Sequence, residues 1–410
     1  MGYLKTFLYE FRNTYTVDDR LITIIFASLF LPWPITGTVL ALGAIYILVK
    51  SDLMETIRRI PRSRILILFS IYLLIVSLLN QNWLGALLSV GMFCMFAITL
   101  HYRRYIHKDL FSQLLDIAII MSVICVVIAI LEQFHYMSII DGMGFLDIQN
   151  KPIYRVHTFF FNANYYAMMI LFVECMCVYK FFMMNELKWR CYYTLMGVLN
   201  LFALYLTGGR IAWLCLALAI VVMLFVNRWF KTLGATIVAG AGAIGVLALK
   251  PGLLPRLAAK GFAIERRRQI WQTAILIIQD SWLFGRGPLT YFNVYGSYKA
   301  EYIATYGLKS FKQYKLGISS QHAHTMFLEP IVSFGVIGTL MFAVYLFSQA
   351  KYVLYLATKK IDYTLAALLI GVTVGTLAFC IIDFPIFWIQ TGPLFLLLMG
   401  TTDIYKKEFV

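Results

Sequence analysis

Long apolar runs recur along the whole of this 410-residue sequence, and they constrain its fold more than any other feature. A helix needs about 20 mostly apolar residues to cross a bilayer. Hydrophobic residues make up 61% of the chain and charged residues 13%, whereas a soluble domain has roughly 45–50% and about 25%. The pattern therefore predicts an all-α polytopic membrane protein.

The apolar runs divide into a series of candidate spans, from which we expect about 12 transmembrane helices. The first two runs are short and interrupted by Pro-Trp-Pro, which leaves a hairpin as the alternative. No small-residue cleavage site follows the first run, so it is expected to remain as a helix. The spans fall near residues 20–33, 34–49, 64–81, 83–100, 110–133, 164–183, 191–207, 211–227, 232–249, 325–348, 363–382 and 386–402.

Lys and Arg in short loops favour the cytoplasm, and their distribution predicts the orientation of these spans. With the N-terminus inside, 21 of the 35 basic residues fall in alternate, cytoplasmic segments, and eleven of the others lie in residues 250–323. We therefore expect nine helices in residues 1–249, a large external catalytic loop at 250–323 and three helices in 324–410. Both termini would be cytoplasmic. The net charge of +15 follows this membrane pattern and does not indicate nucleic acid.

The external loop carries its eleven basic residues against only three acidic ones. One interpretation is that long loops translocate regardless of charge. The other is that the cations bind an anion outside the cytoplasm, where a lipid carrier with a phosphate head is expected and ATP is not. Residues 265–280 have helical spacing that places Arg267, Trp271, Ala274 or Ile275, and Ile278 on one face, which predicts an amphipathic helix at the outer membrane surface. The tyrosine-rich stretch that follows could stack on sugars or anchor the loop at the interface.

Three further residues, one arginine and two histidines, carry basic side chains in segments that are predicted to be external. Arg210 follows two glycines, which would let a ligand approach the backbone closely, although a boundary arginine can also simply snorkel. His322 and His324 are two residues apart, with no cysteine and few carboxylates nearby to complete a zinc site. Packed histidines remain an alternative to a general base, which nearby arginines would favour by lowering the imidazole pKa. We predict neither a metal nor a cofactor.

Four motifs occur in order along the sequence: FFFNANYYA, TGGRIAW, Arg267-x-x-x-Trp271 followed by DSWLFGRGP, and HAHTMFLEPIVSFGVIG. Their order resembles that of the O-antigen ligase and O-antigen polymerase superfamily, bacterial glycosyltransferases of the GT-C type. The resemblance covers about residues 155 to 340 and departs from the family at Thr325, where asparagine is usual.

The resemblance implies transfer of an oligo- or polysaccharide en bloc from undecaprenyl diphosphate to an acceptor sugar hydroxyl. It places this reaction on the outer face of the bacterial cytoplasmic membrane, without metal, and a direct attack would invert the anomeric centre. Arg210 and Arg267 match the arginines that hold the diphosphate, and His324 matches the proposed general base. The other substrate-binding candidates are His322, Glu329, Arg266, Arg268, Asn162 and Asn164.

Three partners follow from this resemblance: the lipid-linked donor, a glycan acceptor and membrane lipid. A capsular, exopolysaccharide or O-antigen repeat-unit polymerase is favoured, and a ligase to lipid A-core, a protein or a wall polymer is the alternative. A transporter or flippase of lipid-linked sugars also fits twelve spans, but the two halves show no matching repeat. A non-catalytic scaffold of a polysaccharide assembly complex is a further possibility.

Overall fold

The computed structural model describes residues 14–50, 53–60, 62–139, 154–249, 264–310 and 322–409, and every regular element in these ranges is helical. Short 3₁₀ segments, Pro385–Phe387 and Thr401–Phe409, flank the last α-helix. The α-helices are α1 Val17–Ser28, α2 Trp33–Val49, α3 Leu53–Arg59, α4 Ser63–Leu79, α5 Trp83–Tyr105, α6 Lys108–Ile139, α7 Ala163–Met183, α8 Leu187–Thr207, α9 Arg210–Val226, α10 Phe230–Leu249, α11 Ile264–Ser281, α12 Thr290–Val294, α13 Lys299–Tyr306, α14 Glu329–Thr358, α15 Tyr363–Cys380 and α16 Thr391–Gly400.

Each predicted span overlaps one of these helices, but the count of twelve is not confirmed. Within the described ranges, five helices (α5, α6, α7, α14 and α15) are long and apolar enough to cross a membrane. A sixth is added when α2 and α3, bent by 85°, count as one broken span, and α4 and α9 are shorter apolar helices. Helices α1 and α16 have 12 and 10 residues, so at about 1.5 Å per residue neither alone reaches across a hydrocarbon core of about 30 Å.

Large apolar side chains are exposed on many of these helices, as expected where helices face lipid. Examples are Leu42 at 62%, Leu87 at 67%, Leu131 at 58% and Phe347 at 70% exposed. In water such a surface would drive aggregation, whereas in a bilayer it contacts acyl chains at no cost. The fold is that of an integral membrane protein.

Helix α7 lies at the centre of the bundle, with 78% of its apolar window buried. It packs against α6, α8, α9 and α15. Helices α9 and α15 are close antiparallel neighbours, and Gly375 of α15 lies against Ala219 of α9. The start of α7, the start of α9 and the end of α15 are therefore brought to the same end of the bundle.

A clasp between two glycines fixes the segment after α11 to helix α14. Gly335 interrupts α14 with φ 64° and ψ −179°, and Gly285 has φ 68°. Backbone groups near this interruption of α14 bond to the segment after α11. Val336 N donates to Trp282 O at 2.9 Å, and Gly287 N donates to Ser333 O at 2.8 Å. A Cβ on Gly335 would lie 2.4 Å from Gly285 N. Only glycine fits there, which explains the FGRG and FGVIG motifs.

Helix α11 packs against α14 around a second, smaller hydrophobic cluster. Ala274 and Ile277 are buried in this cluster, and Ile278 packs against it, whereas Ile275 is 41% exposed. The predicted helix is present, and of the two alternatives for its apolar face, Ala274 or Ile275, Ala274 is the buried one. Three tyrosines of the following stretch are also buried in the cluster, so neither sugar stacking nor interface anchoring describes them: Tyr291, Tyr298 and Tyr302.

Candidate functional site

Two imidazoles and one carboxylate meet at the end of the bundle where α15 ends. His324 Nδ1 lies 2.8 Å from Asp383 Oδ1, and His322 Nε2 lies 3.8 Å from the same oxygen. The Asp383 side chain is 1% exposed and that of His324 is 23% exposed. The carboxylate is therefore shielded from solvent, while the His324 ring remains partly open to a ligand.

Hydrogen bonds define which nitrogen of each ring carries a proton. The backbone N–H of His324 donates to His322 Nδ1 at 3.1 Å, so in the neutral His322 ring the proton lies on Nε2, which is 3.2 Å from the Tyr165 hydroxyl. An ionised carboxylate can only accept, so His324 Nδ1 is the donor to Asp383. This leaves the lone pair of a neutral His324 on Nε2. Of the two rings, His324 has the arrangement of a general base.

The electrostatics of the cluster support an ionised carboxylate beside a neutral His322. Burial, with contributions from His324 and Arg267, lowers the pKa of His322 to about 3 despite the attraction of Asp383. Burial alone would raise the pKa of Asp383, but the His324 hydrogen bond and the charges of His324, His322 and Arg267 outweigh it and hold this pKa below its usual value. Asp383 therefore stays negative at neutral pH.

A chain of side-chain hydrogen bonds connects Asp383 to the start of α7 and the end of α8. Asn164 Nδ2 donates to Asp383 Oδ2, and Arg155 donates to Asn164 Oδ1 at 2.6 Å. Arg155 Nε also donates to the carbonyl of Thr207 at 2.8 Å. Asn162 caps α7 by accepting from the backbone N–H groups of Asn164 and Tyr165. Asn162 and Asn164 thus orient the carboxylate, a role the sequence did not predict.

Glu329 supports the loop that carries the imidazoles. Its carboxylate accepts from the backbone N–H of Ala323 at 2.7 Å and from the Ser333 hydroxyl at 2.6 Å, and the residue is 5% exposed. Ser333 is also the residue whose carbonyl accepts from Gly287 in the clasp. Glu329 therefore links the histidine loop to the segment that follows α11.

His324 itself is held with φ 51°, a left-handed conformation that is uncommon for a residue other than glycine. Such strain costs about 1–3 kcal/mol and persists only where the surroundings impose it. Here the Asp383 and Glu329 contacts are the surroundings that fix the loop.

The predicted arginines are distributed unequally around this cluster. Arg267 is half-buried and close enough to act electrostatically on Asp383 and His322, and burial, opposed by Asp383, lowers its pKa. Arg268 is exposed. The side chain of Arg266 lies outside the described residues. Arg210 is the first residue of α9, three residues after Thr207, and so stands at the same end of the bundle.

The cluster could also hold a metal ion, because the potential ligand atoms of His322, His324 and Asp383 lie within 4.8 Å of one another. Two imidazole nitrogens and one carboxylate oxygen form a donor set that suits Zn²⁺. The sequence argument against zinc rested on the absence of a nearby cysteine and on the small number of nearby carboxylates, and the fold supplies a carboxylate from residue 383. Its only sequence signal was an acidic residue directly after an apolar span.

The fold and this cluster define a class: helical integral membrane proteins with a histidine–carboxylate pair and arginines at one end of the bundle. Within that class, residues 195–343 match the family model described as O-antigen ligase. This match supports the resemblance to the O-antigen ligase and polymerase superfamily that the ordered motifs indicated. None of the curated proteins compared with the chain matches it.

Proposed function

We propose that this protein is an inverting glycosyltransferase that moves an oligo- or polysaccharide from undecaprenyl diphosphate to an acceptor sugar hydroxyl. The observation that carries the proposal is the 2.8 Å contact of His324 Nδ1 with buried Asp383, with Arg267 beside the pair. We place the reaction on the external face of the bacterial cytoplasmic membrane. The positive charge of residues 250–323 supports a role in binding an anionic lipid donor.

In this mechanism His324 Nε2 takes the proton of the acceptor hydroxyl as its oxygen attacks the anomeric carbon. The bond from that carbon to the diphosphate oxygen breaks, and the electron pair leaves with the diphosphate. Asp383 stabilises the imidazolium that forms, because it is already ionised and hydrogen-bonded to Nδ1. A single displacement of this kind inverts the configuration of the sugar.

Arg267 and Arg210 would stabilise the charge that develops on the leaving diphosphate. A guanidinium can bind two phosphate oxygens with its planar fork, and loses less entropy per hydrogen bond than lysine does. Removing one donor to a developing anion typically costs about 2.7–4 kcal/mol, equivalent to about 10²–10³ in rate. Arg268 and Arg266 remain candidates for contacts with the carrier lipid or its sugars.

Polymerase and ligase share this chemistry and differ in the acceptor. We favour a repeat-unit polymerase for a capsular polysaccharide, exopolysaccharide or O-antigen. The description of the matched family model, O-antigen ligase, supports the ligase as the second candidate. The two are separated by offering the purified protein a second lipid-linked repeat unit or a lipid A-core acceptor.

The test uses purified protein in detergent with the lipid-linked donor and each acceptor in turn. We expect product without a gradient or a sealed vesicle, which a transporter would require. His324→Ala, Arg267→Ala and Arg210→Ala should each abolish transfer while the protein still inserts. Two exposed positions give matched controls, His135→Ala and Arg58→Ala, which should retain activity. Activity in all three site variants would refute the assigned roles and favour a scaffold.

A further inference from the structure

Three aromatic side chains form a connected stack beside the histidine cluster, and the proposed reaction assigns them no role. The rings of Tyr165 and Trp388 are stacked with centroids 5.1 Å apart at 21°. The Phe161 ring lies 5.0 Å from that of Trp388 at 40°. Phe161 is 47% exposed, Trp388 is partly exposed and Tyr165 is buried, so the stack extends from the protein interior to an open face.

The stack is joined directly to the catalytic groups at its buried end. The Tyr165 hydroxyl lies 3.2 Å from His322 Nε2. Asn164, adjacent to Tyr165 in sequence, donates to Asp383. Two short contacts, both made by Tyr165, therefore connect the Trp388 ring to the His322 imidazole.

Hydrogen bonds fix the orientation of the Trp388 ring before any ligand binds. Trp388 Nε1 donates to Gln390 Oε1 at 2.9 Å, and Gln390 Nε2 donates to the carbonyl of Leu31 at 2.6 Å. The backbone N–H of Trp388 donates to the carbonyl of Pro385 at 3.1 Å, in the 3₁₀ turn that follows Asp383. The indole N–H is thus used inside the protein, unlike that of an interfacial tryptophan, which faces the headgroups.

We infer that Phe161 and Trp388 form a stacking platform for the acceptor sugar, and that they position its hydroxyl for His324. This inference rests on the proposed function and adds a subsite to it. A pyranose has an apolar face of C–H groups that suits an aromatic ring, and a rim of hydroxyls that suits the partly exposed His324 imidazole. A polyprenyl chain has no hydroxyl that an imidazole could bind. Tyr165 joins the platform to His322, which is the neighbour of the proposed base His324. In the proposed reaction this base acts on the acceptor, not on the donor.

The test compares Trp388→Ala and Phe161→Ala with wild type in detergent, using acceptor fragments cut from the surface polysaccharide of the same cells. With saturating donor, we expect the KM for the acceptor to rise about tenfold in each variant, because the loss of one aromatic contact weakens binding by about that factor. The KM for the donor should stay unchanged, and Trp388→Phe should restore most of the loss. Trp83→Ala, at a 71% exposed position, is the matched control and should behave as wild type.

A rise in the KM for the donor instead would mean that the rings hold the lipid chain, and would overturn the inference. A loss of kcat alone would mean that the rings only support His322, with the same consequence. Unchanged kinetics in both variants would also overturn it.

Acceptor binding to the inactive His324→Ala protein gives an independent readout, from quenching of tryptophan fluorescence. We expect the soluble fragments to quench this protein, and Trp388→Phe in the same background to lose most of the quenching. This measurement stands even if no donor and acceptor pair yields product, so failure of the platform and failure of the proposed reaction are distinguishable. Equal quenching of the His324→Ala protein with and without Trp388→Phe, or no quenching at any fragment concentration, would refute the platform.

Discussion

Replacing Asp383 with asparagine tests whether this carboxylate holds His324 as a base. Asp383 Oδ1 accepts from His324 Nδ1 at 2.8 Å and from the backbone N–H of Phe384 at 2.8 Å, while Oδ2 accepts from Asn164. Asn164 cannot reverse its amide without cost, because its oxygen accepts from Arg155 at 2.6 Å. An asparagine at residue 383 offers one acceptor oxygen where the aspartate offers two.

Either orientation of the new amide breaks the arrangement. If its oxygen faces His324, its NH₂ group confronts that of Asn164. If its NH₂ group faces His324, the imidazole can accept only by moving its proton from Nδ1 to Nε2, which removes the lone pair of the base. A lost hydrogen bond to a charged group costs about 1.5–3 kcal/mol, equivalent to about 10- to 150-fold, and a wrong tautomer in a Ser-His-Asp triad lowers kcat by about 10⁴. We expect Asp383→Asn to lower kcat by about 10² to 10⁴.

The assay is transfer by the purified variant in detergent, with kcat and KM measured for donor and acceptor separately. KM should change little, because Asp383 lies behind the imidazole and is 1% exposed. Asp280→Asn is the control, since this acid accepts from the Tyr298 hydroxyl at 2.6 Å on the segment after α11, away from the histidines. Asp383→Asn protein with kcat within threefold of wild type, and unchanged thermal stability, would show that the carboxylate does not orient the base.

Three further predictions follow from other contacts. Gly335→Ala should destabilise the protein by about 2 kcal/mol or more, because the φ and ψ of Gly335 are accessible essentially only to glycine. Gly240→Ala is the control and should be tolerated, because there is open space around Gly240. Thermal unfolding in detergent compares the two variants. The pKa of His322 is about 3 in the folded protein, whereas that of an unfolded histidine is about 6.5. The free energy of unfolding should therefore fall by about 1.4 kcal/mol per pH unit as the pH drops from about 6 to 4. His322→Gln should flatten this slope in thermal melts at pH 7.5, 6 and 4.5. Chelators should leave transfer unchanged, whereas Zn²⁺ should inhibit it reversibly by binding His322, His324 and Asp383; activity that depends on an added divalent ion would contradict this.

Apolar periodicity predicted where the helices lie, because burial in lipid or in the bundle selects the same residue types. It could not predict which helices are long enough to span. The run at 386–402 reads as one span in sequence, but in the structure a 3₁₀ turn at Pro385–Phe387 leaves a 10-residue α16. The 3₁₀ turn at Pro385–Phe387 delays the start of α16 to Thr391, and hydropathy does not record such a turn.

The sequence identified some residues of the candidate site and missed the partner of another, because that partner depends on how distant helices pack. His324 and Arg267 were identified from ordered motifs, and the fold brings both towards Asp383. Asp383 itself lies 59 residues from His324, and its partner becomes visible only when α15 and the start of α7 are placed side by side. The tyrosines of the segment after α11 illustrate the opposite error, since composition cannot distinguish a ring buried in a small core from one presented to a sugar.

The glycine clasp gives a physical reason for the fixed order of the motifs. The rest of helix α11 and a short turn separate Arg267 from Gly285, and Gly285 packs against Gly335. Gly335 in turn follows the histidine loop by about two helical turns. Because successive residues of a helix differ by about 100° around its axis, a shift of one residue in the clasp would turn Arg267 away from Asp383. Glu329 completes the connection, since it bonds to the histidine loop at Ala323 and to Ser333 at the clasp. The arginine motif, the two glycine motifs and the histidine motif therefore act as one unit, which sets the distance between the proposed base and the proposed diphosphate-binding cation.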